Sequence, residues 1–152
     1  EGLKMKNIGV IGLGNMGLEM AKNLSKSNYF VSGFDTNQDV LDDLKKFNIN
    51  PKNSIEQISK ENEIIITMLP NSLIVNQVWH EILTFVNNDT LLVDCSTIDV
   101  KTTKILHNKA YKLNVSCLDA PVSGGTIGAK NGTLTFMVGG EEEAYQKTLC
   151  RV

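Results

Sequence analysis

Residues 8–24, IGVIGLGNMGLEMAKNL, pass from a short apolar run through three glycines into a helical stripe, and this seam restricts the fold more than any other feature. Ile8, Val10 and Ile11 read as a strand over 7–11; Met16, Met20, Ala21 and Leu24 then recur at helical spacing over 16–27, one apolar face able to cover a sheet. The rest of the chain repeats the alternation. Apolar runs predict strands over 29–34, 63–69, 90–93, 115–118 and 133–138. Between them, patterns over 40–47, 54–60, 72–85, 100–112 and from Glu141 onward predict helices. Strands that alternate with helices favour a mostly parallel sheet with helices on both faces, an α/β fold. With 152 residues, no internal repeat and no linker rich in Pro, Gly and Ser, a single domain over 1–152 is expected.

The glycines give the seam a chemical meaning. Gly12, Gly14 and Gly17 stand in the spacing G-x-G-x-x-G between a strand and an amphipathic helix, the context that distinguishes a dinucleotide-binding turn from a chance glycine pattern. Gly12 permits the tight turn, Gly14 lets backbone approach a pyrophosphate, and Gly17 allows helix to pack closely on strand. The anion would rest on free N–H groups at the helix N-terminus. The next strand ends in Asp35, 18 residues beyond Gly17, where a carboxylate reaches ribose hydroxyls. It would repel a 2′-phosphate, and the uncharged Thr36 and Asn37 offer nothing to attract one, so NAD is the expected cofactor of a doubly wound, Rossmann-type fold. Asp35 and Asp39 could instead simply open the following helix.

Composition narrows the remaining classes. Fifteen Lys and Arg against 17 Asp and Glu leave a net charge of −2, without the basic excess that nucleic acid or an anionic membrane would select. Cys95, Cys117 and Cys150 are odd in number and lack a CxxC pair, so neither a disulfide framework nor a metal site is expected, and a reducing compartment fits. No stretch approaches a membrane span in length, and no signal or transit pattern opens the chain.

Residues 10–24 resemble the signature of the β-hydroxyacid dehydrogenases in their 3-hydroxyisobutyrate dehydrogenase branch: Gly12-Leu13-Gly14-Asn15-Met16-Gly17, then Met20-Ala21-Lys22-Asn23-Leu24. "ITMLPNS" at 66–72, "STID" at 96–99, "DAPVSGG" at 119–125 and "GTLTFMVGG" at 132–140 are similar to that family's blocks, in its order. The resemblance implies NAD-dependent oxidation of 3-hydroxyisobutyrate to methylmalonate semialdehyde, a step of valine breakdown. It implies cofactor contacts from residues 12–17, Asp35, Leu69, Pro70 and Thr97. It also implies a substrate carboxylate held by Ser123, Gly124 and Gly125. On the residues alone, Pro70 could be a turn-former, Thr97 could belong with Ser96 and Asp99 to a helix cap, and the 123–125 stretch could be a plain glycine turn. The family's proton-transferring lysine and helical second domain are expected to lie beyond residue 152, leaving this chain as the cofactor half of a homo-oligomeric enzyme, in the mitochondrial matrix of a eukaryote or otherwise in the cytoplasm.

Other residues read as structural. Lys130 is expected in a surface turn, Gly128 and Gly132 in turns, His80 and His107 in helices without a catalytic role, and Cys95 and Cys117 in or beside strands as small apolar groups. Two alternatives stay open: a related semialdehyde or glyoxylate reductase, many of which use NADP, and a non-catalytic module that binds a dinucleotide.

Overall fold

The computed structural model describes residues 6–149. In chain order the elements are β1 (Asn7–Ile11), α1 (Gly17–Lys26), β2 (Phe30–Phe34), α2 (Gln38–Asp43), a 3₁₀ turn (Leu44–Phe47), β3 (Ile49–Pro51), α3 (Ile55–Glu61), β4 (Ile64–Thr67), α4 (Ser72–Phe85), β5 (Leu91–Asp94), α5 (Val100–Lys112), β6 (Ser116–Asp119), β7 (Val122–Ser123), α6 (Gly125–Asn131), β8 (Thr135–Phe136), β9 (Gly139–Gly140) and α7 (Glu142–Leu149). The main sheet runs β3-β2-β1-β4-β5-β6-β9, parallel from β3 to β6, with β9 antiparallel at its edge. From β1 the chain steps to one side for β2 and β3, then crosses to the other side for β4. The loops after β1 and β4 therefore flank the point where the winding reverses, which is where open α/β sheets present a crevice.

Alternation along each strand divides the core between the two faces. Ile11, Ile65 and Leu92 face α3, α4 and α5 and meet Ile58, Trp79, Ile82, Leu106 and Ala110. Val10 and Val31 pack with Ala21 and Leu41 on the opposite face, where Ile8, Ile64, Leu91 and Leu118 meet Ala144 of α7. Trp79 is the largest fully buried side chain, and one of its size in a core is worth about 3–5 kcal/mol relative to alanine. Side chains of Asn37, Ser54, Asn71 and Asp99 cap α2, α3, α4 and α5. Among the described residues no helix is long and apolar enough to cross a membrane.

Several local expectations are corrected. The helix expected over 40–47 starts earlier, behind the Asn37 cap, and tightens into the 3₁₀ turn before Asn48 adopts a left-handed φ of 59°. The strand expected over 133–138 is not one strand: β8 pairs with β7 in a separate two-stranded sheet, and β9 returns to the main sheet. The apolar run was misleading because its Phe136, Met137 and Val138 stay exposed rather than filling a sheet interior. β3 escapes the sequence pattern because three residues ending in Pro51 suffice on a sheet edge. The stretch expected as a turn around Lys130 is instead α6: Lys130 lies in its last turn, Gly128 is inside it, and Gly132 ends it with a φ of 68°. Cys150 lies outside the described residues.

Candidate cofactor crevice

Two of the loop glycines meet different physical demands. Gly12 has a φ of +93°, and a Cβ there would lie 2.2 Å from the carbonyl oxygen of Met68, so the backbone of the β4 loop presses directly on it. Gly14 is exposed, and a Cβ there would meet nothing within 4 Å. The space above Gly14 is open, as the approach of a pyrophosphate would require. Gly17 is a packing glycine, since its Cβ would fall 1.8 Å from the carbonyl oxygen of Gly12. Helix α1 begins after Met16 with no side-chain cap, unlike α2 to α5; its Leu18 N–H donates to the Gly14 carbonyl at 3.1 Å, and the N–H groups of residues 15–17 are left to face an anion. Asn15 is exposed beside them and Met16 half-buried.

Asp35 stands at the rim beyond β2. The Leu13 N–H donates to its Oδ2 at 2.7 Å and the Asn37 N–H to its Oδ1 at 2.8 Å. The carboxylate thus braces the glycine loop, and each oxygen keeps a lone pair for a further donor. Leu13 offers support only, because its N–H is committed to Asp35 and its side chain is 1% exposed in the core. Asn37, not Asp35, opens α2, accepting from the Asp39 N–H at 3.1 Å.

Beyond β4 and β5 the sequence motif and the structural anchors are neighbours rather than the same residues. Leu69 is half-buried, Pro70 and Thr97 are exposed, and the anchoring is done by Ser96, Asp94 and Thr67. The Leu69 N–H donates to Ser96 Oγ at 2.8 Å, while the Ser96 N–H and the Thr67 hydroxyl donate to Asp94 Oδ1 at 3.2 and 2.8 Å. Trp79 Nε1 in turn donates to Thr67 Oγ1 at 3.0 Å. Burial pushes the Asp94 carboxyl above the usual aspartate value, and hydrogen bonds from Ser96 and Thr67 hold part of that shift back. Asp99 caps α5 by accepting from the Thr102 N–H at 2.8 Å, and bonds from Ser72 and Thr102 hold its carboxyl down at about 2. Thr97 is therefore free of capping duty.

Ser123, Gly124 and Gly125 are exposed beyond β6, turned by φ values of 134° at Gly124 and 62° at Gly125. Lys130 stands six residues after the Gly124 cap, roughly 9 Å along the helix axis. His107 stacks on Trp79 with ring centroids 6.4 Å apart, and its Nε2 lies 3.6 Å from Asp119 Oδ1. Burial lowers its pKa against the attraction of Asp119 and Asp94, as suits a packed side chain. Burial also pushes the Cys95 and Cys117 thiols up to about 12, which leaves them poor nucleophiles. The sheet order sets the loops in a row: Asp35 after β2, the glycines after β1, Leu69 after β4, Thr97 after β5 and Ser123 beyond β6. At about 4.8 Å per strand the row spans roughly 19 Å.

Residues 7–150 match the NAD binding domain of 6-phosphogluconate dehydrogenase. The chain is 42% identical over 141 residues to a mitochondrial 3-hydroxyisobutyrate dehydrogenase of Drosophila melanogaster, covering 92% of this chain and 44% of that protein. It is 40% identical over 146 residues to an NAD-dependent L-serine dehydrogenase of Pseudomonas aeruginosa, covering 94% and 49%. A solved 3-hydroxyisobutyrate dehydrogenase of Mycobacterium tuberculosis with L-serine superposes with a TM-score of 0.91 at 35% identity, covering 95% of this chain and 50% of that one. The chain spans about half the length of these relatives.

Proposed function

The chain belongs to the family of the NAD binding domain of 6-phosphogluconate dehydrogenase, and we propose that it is the cofactor-binding part of an NAD-dependent 3-hydroxyacid dehydrogenase acting on 3-hydroxyisobutyrate. The observation that carries this reading is the uncapped start of α1 behind the open space at Gly14, with the Asp35 carboxylate one strand away. When bound, NAD supplies a two-electron acceptor for oxidation of the C3 alcohol. Residues 14–17 offer backbone N–H groups to the pyrophosphate, and Asp35 accepts from the adenosine ribose through its remaining lone pairs. Leu69, Pro70 and Thr97 border the nicotinamide half, being further along the row of loops. Ser123 and the backbone of Gly124 and Gly125 hold the substrate carboxylate at its end. By the resemblance, the hydroxyl proton is taken by a lysine of the family's helical domain. For a eukaryotic source, the mitochondrial Drosophila relative supports a mitochondrial setting.

L-serine is the second reading, favoured by the names of the Pseudomonas relative and of the Mycobacterium complex. Both acids carry a carboxylate and a C3 hydroxyl and differ only at C2, methyl against ammonium, so the 123–125 loop serves either. Calorimetry on the chain tests the cofactor assignment. Wild type is expected to bind NAD more tightly than NADP, and Asp35→Ala to lose that preference. Equal binding of the two by wild type would remove Asp35 from the ribose site.

A further inference from the structure

We propose that Ser96 and Asp94 are positioning residues that set the β4 loop against the glycine loop, and so control how the nicotinamide half of a dinucleotide is held. The inference rests on the cofactor reading above.

The geometry runs outward from a buried carboxylate. Asp94 is 3% exposed at the end of β5, in register with Thr67 at the end of β4. Thr67 Oγ1 accepts from Trp79 Nε1, and its own hydrogen goes to Asp94 Oδ1, so the direction of that bond is decided by the core beneath it. The same Oδ1 accepts from the Ser96 N–H, which closes the turn after β5. Ser96 Oγ receives the Leu69 N–H. Between Met68 and Asn71 no other backbone N–H exists, because the next residue is Pro70. Met68 itself donates its N–H to the Ile11 carbonyl at 2.9 Å, and the Ser96 hydroxyl holds the one backbone donor that residues 69 and 70 add beyond that anchor. Its placement matters because Met68 and Leu69 wall the glycine loop: a Cβ on Gly12 would come within 2.2 Å of Met68 O and 2.9 Å of Leu69 Cδ2.

A buried carboxylate is a costly way to end a strand, and an apolar residue of similar size would satisfy the sheet at least as well. Asp94 Oδ2 has no hydrogen-bond partner, so the ladder of β5 does not explain the residue. Its two accepted bonds do, since one closes the turn after β5 that carries Ser96 and the other fixes Thr67 at the end of β4, where the crevice loop begins. The loop row places those loops away from Asp35, hence beside the nicotinamide half and not the adenosine half.

The test is calorimetry on the full chain with NAD and, separately, AMP. Ser96→Ala removes one hydroxyl and leaves the Leu69 donor unpaired; it is expected to weaken NAD about tenfold while AMP affinity stays within about twofold. Asp94→Asn keeps an Oδ1 that accepts the same two bonds, and is expected to bind NAD as wild type does. Ser96→Ala binding NAD like wild type would overturn the inference, as would an equal loss of AMP, which is the mark of general damage. Loss of NAD affinity in Asp94→Asn would also overturn it, by assigning the effect to charge. Wild type that binds neither ligand sinks the cofactor reading itself, a result distinct from the others.

Discussion

Gly12 and Gly14 are two residues apart in one motif, yet substitution should separate them completely. At Gly12 the left-handed φ of +93° and the contact with Met68 O act together, so Gly12→Ala should cost about 2 kcal/mol or more in a denaturant titration. At Gly14 the added side chain has room in the protein, and on the function proposed here the space it takes is that of the pyrophosphate. Gly14→Val is therefore expected to unfold at the wild-type denaturant midpoint while abolishing NAD binding. If Gly14→Val bound NAD normally, or lost stability as Gly12→Ala does, the glycine loop would not be the phosphate site. Asp35 shows the complementary economy of one side chain with two duties, bracing Leu13 from within and, on the function proposed here, accepting from the ribose at the rim.

Elements whose signals are local were legible in the sequence. β1, α4 and α5 lie where apolar runs and caps put them, because a buried parallel strand is a continuous apolar run and a capped amphipathic helix carries its own start signal. α6 was not legible, since three glycines within eight residues argue locally for a turn. Packing decides otherwise: Asn23 Nδ2 of α1 donates to the carbonyl of Ala129, and Gly128 brings the helix against Leu134. The site divides the same way. The glycine loop and Asp35 are read from spacing, whereas Thr67, Asp94 and Ser96 acquire their roles only when β4 and β5 pair across 27 positions of chain. Asn23→Ala tests the account of α6. It should cost about 1 kcal/mol overall and speed amide hydrogen exchange selectively in α6 and the β7–β8 pair. Uniform deprotection across the sheet would show that α6 is not held as a separate unit through Asn23.

At the scale of the whole molecule, the row of loops puts the proposed cofactor contacts on four adjacent strands and the 123–125 loop at the far end. Lys130 is exposed at the opposite end of α6 from Gly124, roughly 9 Å along the axis, and His107 is packed against Trp79. On the function proposed here, the 152-residue chain should bind NAD and yet give no measurable oxidation of 3-hydroxyisobutyrate or L-serine. Two deficits combine. A positioned base contributes about 10²–10⁴-fold to such a proton transfer, and a substrate held only by the 123–125 loop forgoes most of an orientation effect worth about 7–11 kcal/mol at best. The measurement is the absorbance of reduced nicotinamide at saturating NAD, with the longer Drosophila relative as the positive control. Turnover by this chain at a comparable rate would place the proton acceptor within residues 1–152. Lys130→Ala and His107→Gln would then be the first variants to make, because Lys130 follows the 123–125 loop in α6 and His107 lies 3.6 Å from Asp119, just before that loop.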